Sequence, residues 1–325
     1  MLELVPTKHL QIYGGRAHPD LAAEIAACLD IPLGDPGIVE FANSEVRPTF
    51  GESIRGADVF ILQTHACPVN ESLMEQAIMI DAAKRASAKR ITAICPYYGY
   101  GRQDRKAKGR EPITAKLVAD VLKVAGADRI VSVDLHSGQI QGFFDGPFDH
   151  LSAMPVLDTF LRANLGDDDF VFVAPDQGRT KVADRYAEHF SAEMASVFKR
   201  RARDRANVVE AVGVMGEVSG RRCVLVDDMI DTAGTICAAA EILVEHGATE
   251  VWALATHGVL SGPAVDRLKN SVLTKVVVTN TLPIPSDKQF DKLEVLSVAG
   301  VIADAIRAVF EDASVSELFG GENQI

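Results

Sequence analysis

At 325 residues and 47% hydrophobic content, the chain is long enough for two ordinary domains with substantial cores. A formal net charge of −12 argues against a surface that coats nucleic acid, because phosphate backbones demand a cationic face. No segment approaches the apolar length of a membrane span, and the opening MLELVPTKHLQIYGG pairs no basic region with a long apolar core. The five cysteines, Cys28, Cys67, Cys95, Cys223 and Cys237, are odd in number and scattered, so they read as buried thiols in a reducing cytoplasm.

In chain order, LQIYGG reads as a strand, HPDLAAEIAACLD as a helix with apolar residues at helical spacing, and GIVEFA as a second strand. FANSEVRPTF then passes through Asn43 and Ser44 before the strand ADVFILQTHA. NESLMEQAIMIDAAKRAS is an amphipathic helix opened by Asn70. Strand RITAICPYY, loop GYGRQDRKAKGREP, helix ITAKLVADVLKVAG and strand RIVSVDLH complete the first half. The second half continues with helix MPVLDTFLRAN, strand DFVFVAPDQG, helix RTKVADRYAEHF and strands MASVFKR, NVVEAVGVMGEV and RRCVLVDD. Helix TAGTICAAAEILVEHG, strand EVWALATHG, helix SGPAVDRLKNS, strands TKVVVTN and LEVLSVA, and a helix from Gly300 to about Phe310 end the pattern. Alternating strands and helices predict mostly parallel sheets covered on both faces. The halves echo each other, RITAICPYYGYGRQD before RIVSVDLHSG matching RRCVLVDDMIDTAG before EVWALATHGV in pattern. Two related α/β domains are expected, residues 1–152 and 153–325, with a boundary near Leu151 to Pro155 and the last helix able to return to the first domain.

Ligands of open α/β sheets gather beyond the carboxyl ends of the strands. There stand Glu45, the loop Arg102 to Arg110, Asp134, His136, Asp176 and the stretch Asp227 to Thr235. In VLVDDMIDTAGT, a strand runs out into Asp227 and Asp228, and a small-residue turn then enters a helix near Thr232. Backbone N–H groups of such a turn converge on a phosphate, helped by the helix dipole. The carboxylates upstream would repel that phosphate and suit neutral hydroxyls or a metal-bound group, so a sugar phosphate fits. The simplest alternative is an ordinary turn capped by Asp231 or Thr232, which would not ask for two further carboxylates.

This stretch resembles the phosphoribosyl diphosphate binding loop of the phosphoribosyltransferase superfamily. RITAICPYYGYGRQDRKAKGREPITAKLVAD, DRIVSVDLHSGQIQGFFDGPFDHL and VFKRRARDRANV narrow the resemblance to the ribose-phosphate diphosphokinase family, from IYGGRAHPDLA to IADAIRAVF. The resemblance implies two phosphoribosyltransferase-like domains and transfer of the β,γ-diphosphoryl group of ATP to the anomeric hydroxyl of ribose 5-phosphate, with AMP leaving. It implies that Asp227, Asp228, Asp231, Thr232, Ala233, Gly234 and Thr235 bind ribose 5-phosphate, together with Arg201. Asn43, Ser44 and Glu45 align with the ATP loop, Arg102 and Gln103 with a second ATP contact, and Phe41 with a neighbour of the adenine. His136 and Asp176 correspond to magnesium-site residues. Lys199 corresponds to the catalytic lysine and Arg201 to its partner, both on a mobile loop. Assembly into dimers that build a homo-oligomeric hexamer is also implied.

Chemistry agrees with that assignment. Transfer from a triphosphate develops negative charge that a protein can only position and neutralise, and cations two residues apart in extended chain face one side. On composition alone, KRRARDR is equally a solvated basic loop. Asp176 suits magnesium, which prefers oxygen ligands and keeps waters; His136 suits it less and could instead meet phosphate or a metal-bound water. Three departures from the family pattern stand out: Ser44 replaces a common glycine, KRRARDRAN is two residues longer than common versions, and Arg179 replaces a smaller residue. A phosphoribosyltransferase shares the ribose loop but not the doubled domain, and a non-catalytic regulatory relative would not need Lys199 and Arg201.

Overall fold

The computed structural model describes residues 8–166, 169–201 and 209–319, the side chains of residues 199–201 and 209–212 excepted. The chain divides into two compact units, one of residues 1–153, 281–283 and 297–325 and one of residues 154–280 and 284–296.

The first unit opens with β1 (Leu10–Gly14), α1 (Pro19–Leu29), β2 (Val39–Glu40), β3 (Val46–Arg47) and β4 (Asp58–Leu62). α2 (Val69–Arg85), β5 (Arg90–Cys95), α3 (Thr114–Ala125), β6 (Arg129–Val133) and β7 (Phe148–Leu151) follow. β1, β4, β5, β6 and β7 form one sheet in that order, every pair parallel. All five residues of β4 are buried, which is the mark of a parallel strand covered on both faces. α2 and α3 pack with β4 and β5 around Ile61, Ile80, Ala93, Leu122 and Ile130. α1 begins where Pro19 presets the first turn and His18 Nδ1 accepts from the Leu21 N–H.

The second unit holds α4 (Met154–Leu165), β8 (Phe170–Ala174), α5 (Thr180–Phe190), β9 (Glu193–Arg201), β10 (Val209–Met215) and β11 (Arg222–Ile230). It continues with α6 (Gly234–Glu245), β12 (Glu250–Gly258), α7 (Ala264–Asn270), β13 (Lys275–Thr279) and β14 (Leu293–Leu296). Its sheet runs β10-β9-β8-β11-β12-β13-β14, and only the β9–β10 pair is antiparallel. The chain then returns to the first unit as α8 (Ala299–Glu311), which packs on α1 and buries Ile302 and Ile306. The fold class is therefore α/β, with two mostly parallel sheets flanked by helices.

Several local expectations need correction. Asn70 does not cap α2: the helix starts at Val69 with Pro68 before it, and Asn70 Oδ1 instead accepts from the Tyr100 hydroxyl. GIVEFA is a two-residue strand paired only with β3, and the sequence pattern contained no counterpart of β7. Cys95, Cys223 and Cys237 are buried, but Cys28 and Cys67 are exposed, Cys28 on an outer face of α1 and Cys67 in the turn before α2. All five are free thiols.

Candidate active site

In the second unit, β11 does not stop at the first aspartate. Its pairing with β12 runs from Arg222 through Ile230, whereas its pairing with β8 ends at Leu225, where β8 itself is about to turn away. Asp227 and Asp228 therefore lie in a strand held on one side only. Asp227 Oδ1 accepts the Asp228 N–H at 2.8 Å, and the guanidinium of Arg179 meets both carboxylates. Burial, reinforced by Asp228, pushes the Asp227 carboxyl up to about 8, and the charge of Arg179 opposes that rise.

The turn after β11 is tighter than the sequence suggested. Asp231, Thr232 and Ala233 form it, Ala233 takes φ +60°, and α6 starts at Gly234 rather than at Thr232. No side chain caps the helix. Asp231 Oδ1 is instead bound by the Ser261 hydroxyl, and its carbonyl accepts the Ser261 N–H at 2.9 Å. Arg267 Nη1 donates to the Thr232 carbonyl at 2.9 Å and so braces the turn from α7. Thr232, Gly234 and Thr235 are exposed. The result is an open helix N-terminus on a braced turn, an arrangement that suits an anion.

Asp176 follows β8 and is exposed; its Oδ1 accepts the Gly178 N–H at 2.8 Å, opening a short helical turn at Gln177–Arg179. A cleft of about 410 Å³ is lined by Pro175, Asp176, Gln177, Gly178, Val197 and Thr235, so the Asp176 turn and the start of α6 share one cavity. Lys199, read in the strand MASVFKR although the resemblance implied a mobile loop for it and Arg201, has its backbone with that of Arg201 in β9, where Lys199 pairs with Val212 and Arg201 with Val209 across a bulge. Antiparallel pairing with β10 extends this strand further than its apolar run indicated. The remainder of the basic run, residues 202–208, lies outside the described residues.

In the first unit, β2 and β3 form a small ribbon whose tip carries Phe41, Asn43, Ser44 and Glu45, all exposed. Asn43 Oδ1 accepts the Glu45 N–H, and the Arg47 guanidinium lies 5.4 Å from the Phe41 ring centroid. Ser44 has φ +69°, a conformation that glycine adopts at less cost. That accounts physically for the glycine of the related pattern. The ribbon is tethered by a chain of charges that sequence reasoning missed. Glu75, 4% exposed on α2, accepts from Arg16 Nε at 2.5 Å and from Gln63 Nε2 at 2.7 Å, and Arg16 Nη1 reaches Glu40 Oε2 at 2.6 Å.

Arg102 and Gln103 are exposed on the loop after β5. Gln103 Oε1 accepts from Thr114 Oγ1 at 2.6 Å, tying the loop to the start of α3. Two buried groups, neither singled out from sequence, fix this loop. Asp104 Oδ2 accepts from Ser137 Oγ at 2.7 Å and from Gln139 Nε2 at 2.6 Å, so the loop is joined to the segment that carries His136. His65 Nδ1 accepts the Gly99 N–H at 2.9 Å, which makes its Nε2–H the donor to Gln76 Oε1 at 2.9 Å. Burial drops the His65 imidazole to about 4, so it stays neutral. His136 is half-buried beside Gly101, where a methyl group in place of the glycine hydrogen would sit 3.6 Å from His136 Cβ. Phe41, Asn43, Ser44, Glu45, Arg102, Gln103 and His136 thus belong to the first unit, and Asp176, Lys199, Arg201 and the loop from Asp227 to Thr235 to the second.

Comparison with known proteins identifies the family. Residues 10–126 match the family model of the N-terminal domain of ribose phosphate pyrophosphokinase, and residues 206–320 that of the phosphoribosyl synthetase-associated domain. A ribose-phosphate pyrophosphokinase of Streptomyces avermitilis is 55% identical over 312 residues, 96% of either chain. One of Bifidobacterium longum is 54% identical over 322 residues, 98% of this chain and 95% of its own. The crystal structure of phosphoribosylpyrophosphate synthetase from Mycobacterium smegmatis matches with a TM-score of 0.89 at 52% identity, covering 94% of this chain and all of that one.

Proposed function

The chain belongs to the ribose-phosphate pyrophosphokinase family and is an enzyme of that kind, and on that premise we propose how its own residues divide the work. In the reaction, the 1-hydroxyl of ribose 5-phosphate forms a bond to the β-phosphorus of ATP and gives up its proton as the bond to the α,β-bridging oxygen breaks. Phosphoribosyl diphosphate and AMP result.

The observation that carries the acceptor half is the uncapped start of α6 beside two carboxylates. Exposed Thr232, Gly234 and Thr235 offer backbone N–H groups and hydroxyls to the 5-phosphate, and Ala233 in the left-handed conformation turns the chain so that they converge. Asp227 and Asp228 accept hydrogen bonds from ribose hydroxyls. Asp231, braced by Ser261, fixes the turn. Arg201 binds the acceptor, and Lys199 with Arg201 neutralises the charge that grows on the transferring group.

ATP is held in the first unit. Phe41 offers an aromatic face to the adenine, the Asn43–Glu45 tip a polar edge, and Arg102 with Gln103 a contact anchored through Asp104 and Thr114. Magnesium fits the donors present. Asp176, an exposed carboxylate with Oδ1 committed to the Gly178 N–H, would hold the ion as an oxygen ligand. The imidazole of His136 suits a metal-bound water or a phosphate oxygen. When bound, the ion supplies positive charge to the phosphate oxygens. Five free thiols suit a cytoplasmic setting, and among the described residues no helix is long and apolar enough to cross a membrane. A homo-oligomer, a hexamer built from dimers, is the assembly we propose.

Calorimetry with ribose 5-phosphate tests the acceptor site. Asp231→Ala should weaken binding by roughly 10-fold, the scale of one charged hydrogen bond, and a normal affinity in a folded variant would reject the assignment.

A further inference from the structure

Arg179 stands where the related pattern has a smaller residue, and in this chain its guanidinium meets two carboxylates. Its Nε lies 2.8 Å from Asp227 Oδ1 and its Nη2 lies 2.6 Å from Asp228 Oδ1. The three side chains are 15%, 16% and 7% exposed. The backbone explains how one guanidinium reaches both. β11 loses β8 as a neighbour after Leu225, the chain leaves β8 through Pro175 and the short turn at Gln177–Arg179, and Arg179 crosses the gap that the departing strand leaves. Its own N–H donates to the Asp176 carbonyl at 3.2 Å, so the side chain is launched from a fixed point.

Such a triad is a poor device for stability alone. Well-packed apolar residues of similar volume commonly hold a fold as well as a buried charged cluster or better. Two carboxylates one residue apart repel each other at low exposure, and without a cation they would resist carrying two charges. A hydroxyl-binding site needs carboxyl oxygens held in one orientation before the ligand arrives. A guanidinium whose Nε and Nη2 each lie against one carboxylate meets that need better than the single charged nitrogen of a lysine.

We propose that Arg179 is a positioning residue for the sugar-phosphate acceptor, holding the Asp227 and Asp228 carboxyl groups in one orientation on which the acceptor's hydroxyls dock. This rests on the assignment of those aspartates to ribose hydroxyls. Arg179 acts through them and takes no part in the bond that forms.

Steady-state kinetics with each substrate varied separately tests the proposal, using Arg179→Ala, Arg179→Lys and Asp227→Asn in the full-length enzyme. Arg179→Ala should raise KM for ribose 5-phosphate roughly 10- to 100-fold while KM for ATP stays within about twofold. Arg179→Lys, which keeps the charge but loses the fork, should give a smaller rise of the same kind. An unchanged acceptor KM, or equal rises for both substrates, would overturn the proposal, and if Arg179→Ala does not fold, Arg179→Lys decides by the same criteria. Asp227→Asn separates the two layers of inference. If it leaves the acceptor KM unchanged, the ribose-site assignment itself fails; if it raises that KM and the Arg179 variants do not, only the role given to Arg179 falls.

Discussion

Lys199 and His65 show how differently two charged-type residues serve the same enzyme. Lys199 is assigned the transition state, where a positioned cation counts most, so Lys199→Ala should lower kcat by roughly 100-fold while ribose 5-phosphate still binds. A kcat within a few-fold of wild type would mark Lys199 as mere surface charge. His65 does the opposite work, staying neutral in a core where Gly99 and Gln76 use both ring nitrogens. Its folded value of about 4 lies below the 6.5 of an ordinary imidazole. Below pH 6.5 the unfolded chain therefore binds the proton more readily, and stability contributed by neutral His65 is lost as pH falls from about 6.5 toward 4. The full shift is worth at most about 3 kcal/mol. Urea unfolding of wild type should show this acid-side fall and His65→Gln should lack that part of it; identical pH dependence in the two would contradict the account.

Among the elements, the β2–β3 ribbon and the start of α6, to which we assign ATP and acceptor binding, were the hardest to read. The ribbon tip presents Phe41 and Asn43–Glu45 on only two residues of strand per side, so its placement depends on Arg16, bridging Glu40 to buried Glu75. Glu40→Gln removes the exposed end of that bridge. Because an exposed ion pair is worth only about 0.2–1 kcal/mol, KM for ATP should rise by no more than about 2- to 5-fold, with the melting temperature and KM for ribose 5-phosphate unaffected. A loss of acceptor affinity instead would place Glu40 in a different role. At α6, the sequence signalled small residues, acids and a helix, but not that the Asp231 carboxylate is engaged by the Ser261 hydroxyl and the Thr232 carbonyl by Arg267. Those partners come from a segment some thirty residues on in the chain, beyond the reach of local pattern.

At the scale of the whole molecule, alternating apolar strands and amphipathic helices made the α/β class legible, because strands buried on both faces read as continuous apolar runs. β7 escaped because Phe148–Leu151 mixes apolar and polar residues, and its pairing with β6 is settled by long-range contact. β9 outran its apolar stretch because β10 supplies a ladder for Lys199 to Arg201. The candidate site residues were named from sequence as polar types beyond strand ends, whereas the partners of Glu75, Asp104 and Ser261, and the two carboxylates that Arg179 meets, appear only in three dimensions. The central claim is that this constellation moves a diphosphoryl group intact. Following ³¹P signals of the purified enzyme with ATP, magnesium and ribose 5-phosphate tests it most directly: AMP and phosphoribosyl diphosphate should appear in equal amounts, and release of ADP with a singly phosphorylated product, or binding of both substrates without turnover, would contradict it.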